Sequence, residues 1–386
     1  MDTIVNFLGS IITVICLVVC CLLFIFCKSK DKTGNKIVLN NGNNENPWAM
    51  QDWIAGIFIA GTGVALICGV PRDLNSLTNQ GFNPWESIML LSFWNCAPVW
   101  ALYAVMGLWY INHMESKIGK LAAMLSTILG ISISLWTGME SISRMIGIDF
   151  PGLKFILASV TVIISIFSAK NSWLKKMSKT AVFMFGVSFL VLLATPLESF
   201  EMNKIKGSLT GKFWYEYFFG ATSASWIFWF LSWTPTVSRW LAHISNGRTI
   251  REYIAGTLII PTILGFLWIA FCWKYQNVIN SFSIANNISS IFPSVVFIIS
   301  GILFMSGTLD SDCKVFTEDL EYVTKGALKQ KKSIPYYGIF VISMFCLFIS
   351  GIIRNPYGFN EYSTLIFVPL LIWSIFSCIR RYILFL

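Results

Sequence analysis

The chain is dominated by apolar runs of about twenty residues, separated by short polar or charged segments. A helix of about this length is needed to cross the hydrocarbon core of a bilayer. Of the 386 residues, 55% are hydrophobic and only 12% are charged, about half the share of a soluble domain. The pattern predicts an all-α polytopic membrane protein and excludes a soluble globular enzyme or a disordered chain.

Eleven runs have the length and hydropathy of transmembrane helices. They are 4–27, 51–70, 87–110, 121–143, 153–169, 180–196, 222–243, 253–273, 291–309, 335–353 and 363–383. Lysines follow the first run rather than precede it, so a retained span is expected instead of a signal peptide. With the N-terminus outside, the expected inner segments together with the inner span ends carry 19 Lys and Arg, and the outer segments with the outer span ends carry 8. This ratio obeys the positive-inside rule and predicts a cytoplasmic C-terminus.

The residue counts also limit the chemistry. The net charge of +9 is explained by those inner segments, so no nucleic-acid partner is expected. The ten Cys form no C-x-x-C pair and there are only two His, so neither a metal cluster nor a catalytic triad is predicted. No catalytic motif is found, and the only small ion expected is a coupling Na⁺ or H⁺.

Two spans contain residues that interrupt helices: the glycine-rich segment 60–65 in the second, and Pro235 in the seventh. Interrupted helices five spans apart predict two inverted five-helix repeats, the arrangement of a secondary transporter with a midplane site. The alternative is that the glycines only allow close helix packing. The expected organisation is an extra helix and loop (1–49), a first repeat (50–197), an outer interfacial helix (198–221) and a second repeat (222–386).

Residues 244–253 read Ile-Ser-Asn-Gly-Arg-Thr-Ile-Arg-Glu-Tyr and follow a Ser-Trp-Thr-Pro step at 232–235. Together they resemble the betaine/carnitine/choline transporter (BCCT) family, as do the segments 60–70, 100–108 and 308–311. The resemblance implies a LeuT-type fold, a homotrimer in the cytoplasmic membrane, and alternating-access transport of glycine betaine, carnitine or choline. Family members usually have two spans ahead of the repeats, so the first is expected to be missing here.

A quaternary ammonium group has no N–H, so aromatic faces must compensate for its desolvation. The resemblance implies that Trp100 and Tyr103 belong to such an aromatic box, with Trp94 joining if a one-residue bulge intervenes. The partner helix would add Trp229, Phe230 and Trp233, with Phe230 standing where the family has Trp. The backbone N–H groups of Gly61, Thr62, Gly63 and Ala65 would bind a carboxylate. Without the resemblance, these aromatic residues would be read as membrane anchors.

Ion coupling is predicted from two places. In sodium-driven members, two adjacent hydroxyls and backbone carbonyls hold the ion; here the hydroxyl positions are Gly307 and Thr308, while Gly61 and Phe304 offer carbonyls. Glu140 and Arg144 lie four apart near a span end, where an interfacial salt bridge is expected. A sharper hypothesis makes one of them a fixed charge or proton carrier, so that transport is sodium-independent and sensitive to Glu140→Gln.

The sequence therefore predicts a secondary transporter for a betaine-like quaternary ammonium solute. Two alternatives stay open. One is a LeuT-type transporter of another small zwitterion, such as an amino acid. The other is a degenerate homologue that does not transport.

Overall fold

A computed structural model shows a helical protein. The residues it describes are 2–27, 38–40, 47–61, 63, 65–148, 150–168, 171–194, 209–275, 291–324 and 364–384. Within these ranges, five helices are long and apolar enough to cross a bilayer. The prediction of an all-α, multi-pass membrane protein is confirmed. The span predicted over 335–353, Thr62, and positions 198–208 of the outer segment lie outside the described residues.

The first part of the chain forms eight helices. They are α1 (Asp2–Phe26), α2 (Met50–Gly61), α3 (Val70–Asn79), α4 (Pro84–Asn95), α5 (Ala97–Asn112), α6 (Lys117–Ile146), α7 (Pro151–Ser168) and α8 (Asn171–Ala194). A π-helical turn, Ala65–Gly69, precedes α3. Irregular backbone therefore occurs in the glycine-rich segment of the second span, where the sequence places it.

The described residues after position 208 add six helices. They are α9 (Gly211–Phe219), α10 (Ala221–Ile244), α11 (Ile250–Ile254), α12 (Ile260–Lys274), α13 (Ile291–Val323) and α14 (Val368–Ile379). The π-helical turn Ala255–Ile259 joins α11 to α12, and α14 is flanked by the 3₁₀ turn Thr364–Phe367 and the π turn Arg380–Leu384. On α9, Phe213 is buried while Tyr215 is exposed, as an interfacial helix requires.

The inner segment 310–333 is expected from the sequence to be a solvated helix or loop. As far as the described residues extend it is helical, because α13 continues to Val323, but its acids Asp310, Asp312 and Asp319 are buried rather than solvated. Its acids are accommodated by lateral partners: Asp310 accepts a hydrogen bond from Ser165 Oγ at 2.7 Å, and Asp319 pairs with Arg239. The segment 170–179, expected to be a loop, is helical from Asn171 and belongs to α8.

The predicted interruption at Pro235 is also wrong, because α10 runs through it. Proline removes a backbone N–H and pushes against the preceding turn, so the hydrogen-bond ladder must be repaired nearby. Ser126 of α6 provides the repair: its hydroxyl donates to the Ser232 carbonyl and accepts from the Thr236 N–H at 3.2 Å. A hydroxyl from a neighbouring helix thus bridges the groups that would otherwise bond each other within α10.

Replacing Ser126 by alanine should destabilise the fold by about 1–3 kcal/mol, since it leaves a buried carbonyl and a buried N–H unpaired. The measurement is the apparent melting temperature in detergent. Ser132→Ala is the matched control on the same helix, because among the described residues the Ser132 hydroxyl bonds its own helix, at the Ile128 carbonyl. Equal melting temperatures for the two variants would contradict the bridging role.

The family-like segment 244–253 has a structural explanation. Gly247 has φ +78°, a conformation that favours glycine, and its N–H bonds the Leu39 carbonyl at 2.8 Å. Arg248 lies over the Trp53 ring at 4.8 Å and donates to the Trp48 carbonyl. Thr249 and Glu252 form a reciprocal capping box that starts α11. The segment ties α10 and α11 to the chain that enters α2.

Candidate functional site

The irregular backbone after α2 is the centre of the candidate site. Carbonyls freed from a regular helix need other donors inside a membrane protein. Three side chains from three helices supply them: Thr308 Oγ1 donates to the Ile59 carbonyl at 2.9 Å, Trp268 Nε1 to Leu66 at 2.7 Å, and Ser141 Oγ to Cys68 at 3.0 Å. These connections fix the segment between α6, α12 and α13, and sequence patterns gave no sign of Ser141 or Trp268.

Glycine is required in this segment because two aromatic rings lie directly on the backbone. A Cβ at Gly61 would overlap the Trp100 ring of α5, and one at Gly63 would overlap the Phe304 ring of α13. The structure therefore brings together four of the predicted residues. Ala65 is buried at the start of the π turn beside them.

Trp100 and Tyr103 form the first aromatic group. Their rings meet edge to face at a centroid distance of 5.6 Å, and both side chains are fully buried. Neither the Trp100 Nε1 nor the Tyr103 hydroxyl has a hydrogen-bond partner in the described part of the chain. Buried polar atoms of this kind are normally paired, so unpaired ones mark a position where a ligand or water is expected.

The second aromatic group lies on α10. Trp226, Trp229 and Phe230 are stacked, with Trp226 at 5.1 Å from Trp229 and 5.5 Å from Phe230. The Trp226 ring also approaches Gly69, at the end of the π turn. Sequence reasoning missed Trp226, although its spacing of three and four residues from its partners places all three on one helix face.

Two predicted box residues lie elsewhere. Trp233 covers Gly130 of α6, where an added Cβ would overlap its ring. Trp94 contacts Tyr217 of α9 at a ring distance of 5.2 Å. The backbone is irregular at Cys96, between α4 and α5. Among the described ring contacts, none joins Trp100 and Tyr103 to the α10 group or to Trp94.

The coupling-ion candidates fall into two separate groups. Thr308 and Phe304 lie against the segment around Gly61, and the Thr308 hydroxyl lies 2.9 Å from the carbonyls of both Ile59 and Phe304, to either of which it can donate its one proton. Gly307, which lacks the other hydroxyl, packs against Ile59.

Glu140 and Arg144 form the second group. Their carboxylate and guanidinium meet at 2.6 Å, and Lys154 of α7 approaches the same carboxylate at 3.6 Å. The Arg144 side chain is 63% exposed and that of Glu140 30%. The expected salt bridge is therefore present, and it is partly open to the surroundings.

Comparison with known proteins gives two kinds of match. Residues 97–281 match the family model described as betaine/carnitine/choline family transporter. The glycine betaine transporter OpuD of Bacillus subtilis is 24% identical over 293 residues, 60% of this chain and 56% of that protein. The high-affinity choline transport protein of Escherichia coli is 24% identical over 304 residues, 64% of this chain and 45% of that protein.

A third relative, glycine betaine transporter 1 of Vibrio parahaemolyticus, is 24% identical over 299 residues, 61% of this chain and 55% of that protein. The chain spans about half the length of these relatives. The relatives are transporters and not enzymes, which agrees with the absence of a predicted catalytic motif. The family-model match over residues 97–281 and these relatives show that the chain is similar to transporters of the betaine/carnitine/choline family.

Proposed function

We propose that the chain is a secondary transporter that moves a betaine-like quaternary ammonium solute across the cytoplasmic membrane by alternating access. The observation that carries this proposal is the Trp100–Tyr103 pair, buried against Gly61 with two polar atoms free for a ligand. The names of the relatives add glycine betaine and choline as solutes.

The chemistry of the solute matches these groups. The ring faces attract a trimethylammonium group, which has no N–H to donate in a hydrogen bond, each ring contributing about 0.5–2 kcal/mol. A carboxylate or hydroxyl on the solute would take the Trp100 Nε1, the Tyr103 hydroxyl and the N–H groups of the segment 61–65. The stacked rings of α10 form the second wall if the two aromatic groups approach each other during the transport cycle.

Alternating access requires two halves that move relative to each other, and the 5+5 repeat is proposed as their origin. The second helix of each half begins with a capping box, Asn83–Glu86 on α4 and Thr249–Glu252 on α11. In each half, the backbone of this second segment is then irregular shortly before a proline. The irregular positions are Cys96 before Pro98 and Ala255–Ile259 before Pro261. The outside N-terminus and the homotrimer remain predictions.

Purified protein in liposomes should take up radiolabelled glycine betaine, carnitine or choline. Unlabelled solute added outside should compete with this uptake, and unlabelled solute loaded inside should drive counterflow of the label. Proline is tested in parallel. Uptake of proline alone would instead favour an amino-acid transporter of LeuT type. No uptake of any of the four, by folded protein, would favour the non-transporting homologue.

A further inference from the structure

Asp312 of α13 is an acid that no sequence pattern singled out. It lies eight residues beyond Phe304, about two helical turns from the candidate site, and it is fully buried. Its Oδ1 accepts a hydrogen bond from Thr236 Oγ1 at 3.4 Å, while Oδ2 has no hydrogen-bond partner in the described part of the chain. An ionised carboxylate in such a place is very costly unless it is compensated.

The basic groups near this level of the bundle are engaged elsewhere. Arg239 of α10 pairs with Asp319 at 3.0 Å, and Lys120 of α6 pairs with Glu115 at 3.3 Å. The other titratable neighbours are Cys313, which follows in the chain, Asp310, which bonds Ser165 on α7, and Tyr103 of α5, which interacts electrostatically with Asp312. Lys314 lies two residues further along α13, where its charge acts on His243 of α10. Among the described residues, the carboxyl group therefore has a hydroxyl and no paired cation beside it.

The hydroxyl groups around Asp312 can form a continuous chain of hydrogen bonds when the acid is protonated. Thr127 Oγ1 of α6 donates to the Ala123 carbonyl at 2.9 Å and lies 2.8 Å from Thr236 Oγ1. Each hydroxyl has one proton to donate. If Asp312 carries a proton, it donates to Thr236, which donates to Thr127, which donates to Ala123. If Asp312 is ionised, Thr236 must donate to it, and Thr127 has one proton left for two acceptors, so either the contact between the threonines or the bond to Ala123 lacks a donor.

Asp312 is also linked to the candidate site. Tyr103, its electrostatic neighbour, has the unpaired hydroxyl described above. The Ser238 hydroxyl of α10 donates to the Tyr103 carbonyl at 3.1 Å, which ties α5 to the helix that carries Thr236. A charge that appears at Asp312 would act directly on the group proposed to bind solute.

We propose that Asp312 is the proton-binding site that couples solute transport to a proton gradient; this rests on the proposed transport function. While α6, α10 and α13 are packed together, the carboxyl group holds its proton. When they separate and water enters, the O–H bond breaks, the proton passes to water, and the electron pair stays on the Asp312 carboxylate. Reprotonation from the other side reverses the step, so one proton accompanies each transport cycle.

The test uses the full chain in liposomes with glycine betaine, carnitine and choline as probes. A pH gradient, alkaline inside, should drive accumulation without sodium, and a dye trapped inside should report acidification as solute enters. Asp312→Asn keeps the size and the acceptor oxygen but cannot release a proton. Solute accumulation driven by the pH gradient should be at least about tenfold lower in this variant, while solute counterflow persists.

Glu321→Gln, an acid-to-amide change further along α13, is the matched control and should retain proton-driven accumulation. Accumulation by Asp312→Asn equal to that of the unmodified protein would overturn the proposal. Loss of proton-driven accumulation in Glu140→Gln but not in Asp312→Asn would also overturn the proposal. So would solute accumulation that only a sodium gradient drives. If Asp312→Asn does not fold, the dye measurement on the unmodified protein decides, because solute entry without acidification also overturns it. Absent counterflow of all three probes contradicts the proposed function instead.

Discussion

Replacing Trp100 by alanine should abolish high-affinity binding of glycine betaine. The ring lies on the backbone at Gly61, edge to face with Tyr103, and is fully buried. A ring–ammonium contact of about 2 kcal/mol corresponds to about thirtyfold in affinity. Loss of the Trp100 ring surface that covers Gly61 lowers the affinity further. Equilibrium binding of radiolabelled glycine betaine to purified protein measures the effect.

Two further variants separate binding from folding. Trp100→Phe keeps an aromatic face and should lose much less affinity than Trp100→Ala. Trp109→Ala removes another buried ring of α5, which stacks on His113 at 4.8 Å and is not part of the candidate site. It should lower the melting temperature by a similar amount and leave binding intact. Affinity of Trp100→Ala equal to that of the unmodified protein would refute the proposed box.

Asp319→Asn should be the most destabilising single substitution among those considered. The Arg239 Nε and Nη2 both donate to Asp319 Oδ1, at 3.3 and 3.0 Å, and both side chains are buried. Removing one partner of such a pair leaves an uncompensated charge and costs about 3–5 kcal/mol. The melting temperature of the variant in detergent should fall by several degrees, or the variant protein should not be recovered in folded form from expressing cells.

The double variant Arg239→Met with Asp319→Leu distinguishes the cost of an unpaired charge from the value of the pair. Replacing both charges with apolar groups of similar volume is often close to neutral. The double variant should therefore be more stable than Asp319→Asn alone. A double variant that is less stable than the single one would mean that the ion pair itself holds α10 against α13.

Long apolar runs and one ten-residue segment were enough to predict the all-α membrane fold and the similarity to the betaine/carnitine/choline transporter family. The first follows from the bilayer thickness, which any spanning helix must match. The second follows from local chemistry: the Gly247 turn and the Thr249–Glu252 capping box each need particular residues at fixed spacing. Such features lie within a few residues of each other in the chain and so are visible in the sequence.

What could not be predicted depends on contacts between distant residues. Charges at Asp310 and Asp319 suggested a solvated helix or loop, because their partners Ser165 and Arg239 lie on other helices. Pro235 suggested a break for the same reason, since its repair comes from Ser126. Trp94, Trp100 and Trp233 looked equivalent in sequence, but each ring meets a different helix. Hydropathy and motif spacing do not contain this information.

The Ser126 bridge makes hydration part of the opening step. If α6 moves away from α10, the Ser232 carbonyl and the Thr236 N–H lose their shared hydroxyl. Leaving both groups dry would cost about 1–3 kcal/mol each, so water must take the place of the serine as the helices part. Thr236 is also the residue that bonds Asp312. Water that bonds the Ser232 carbonyl and the Thr236 N–H is therefore separated from the Asp312 carboxyl group only by the Thr236 hydroxyl. Separation of α6 from α10 without entry of water is the least favourable path.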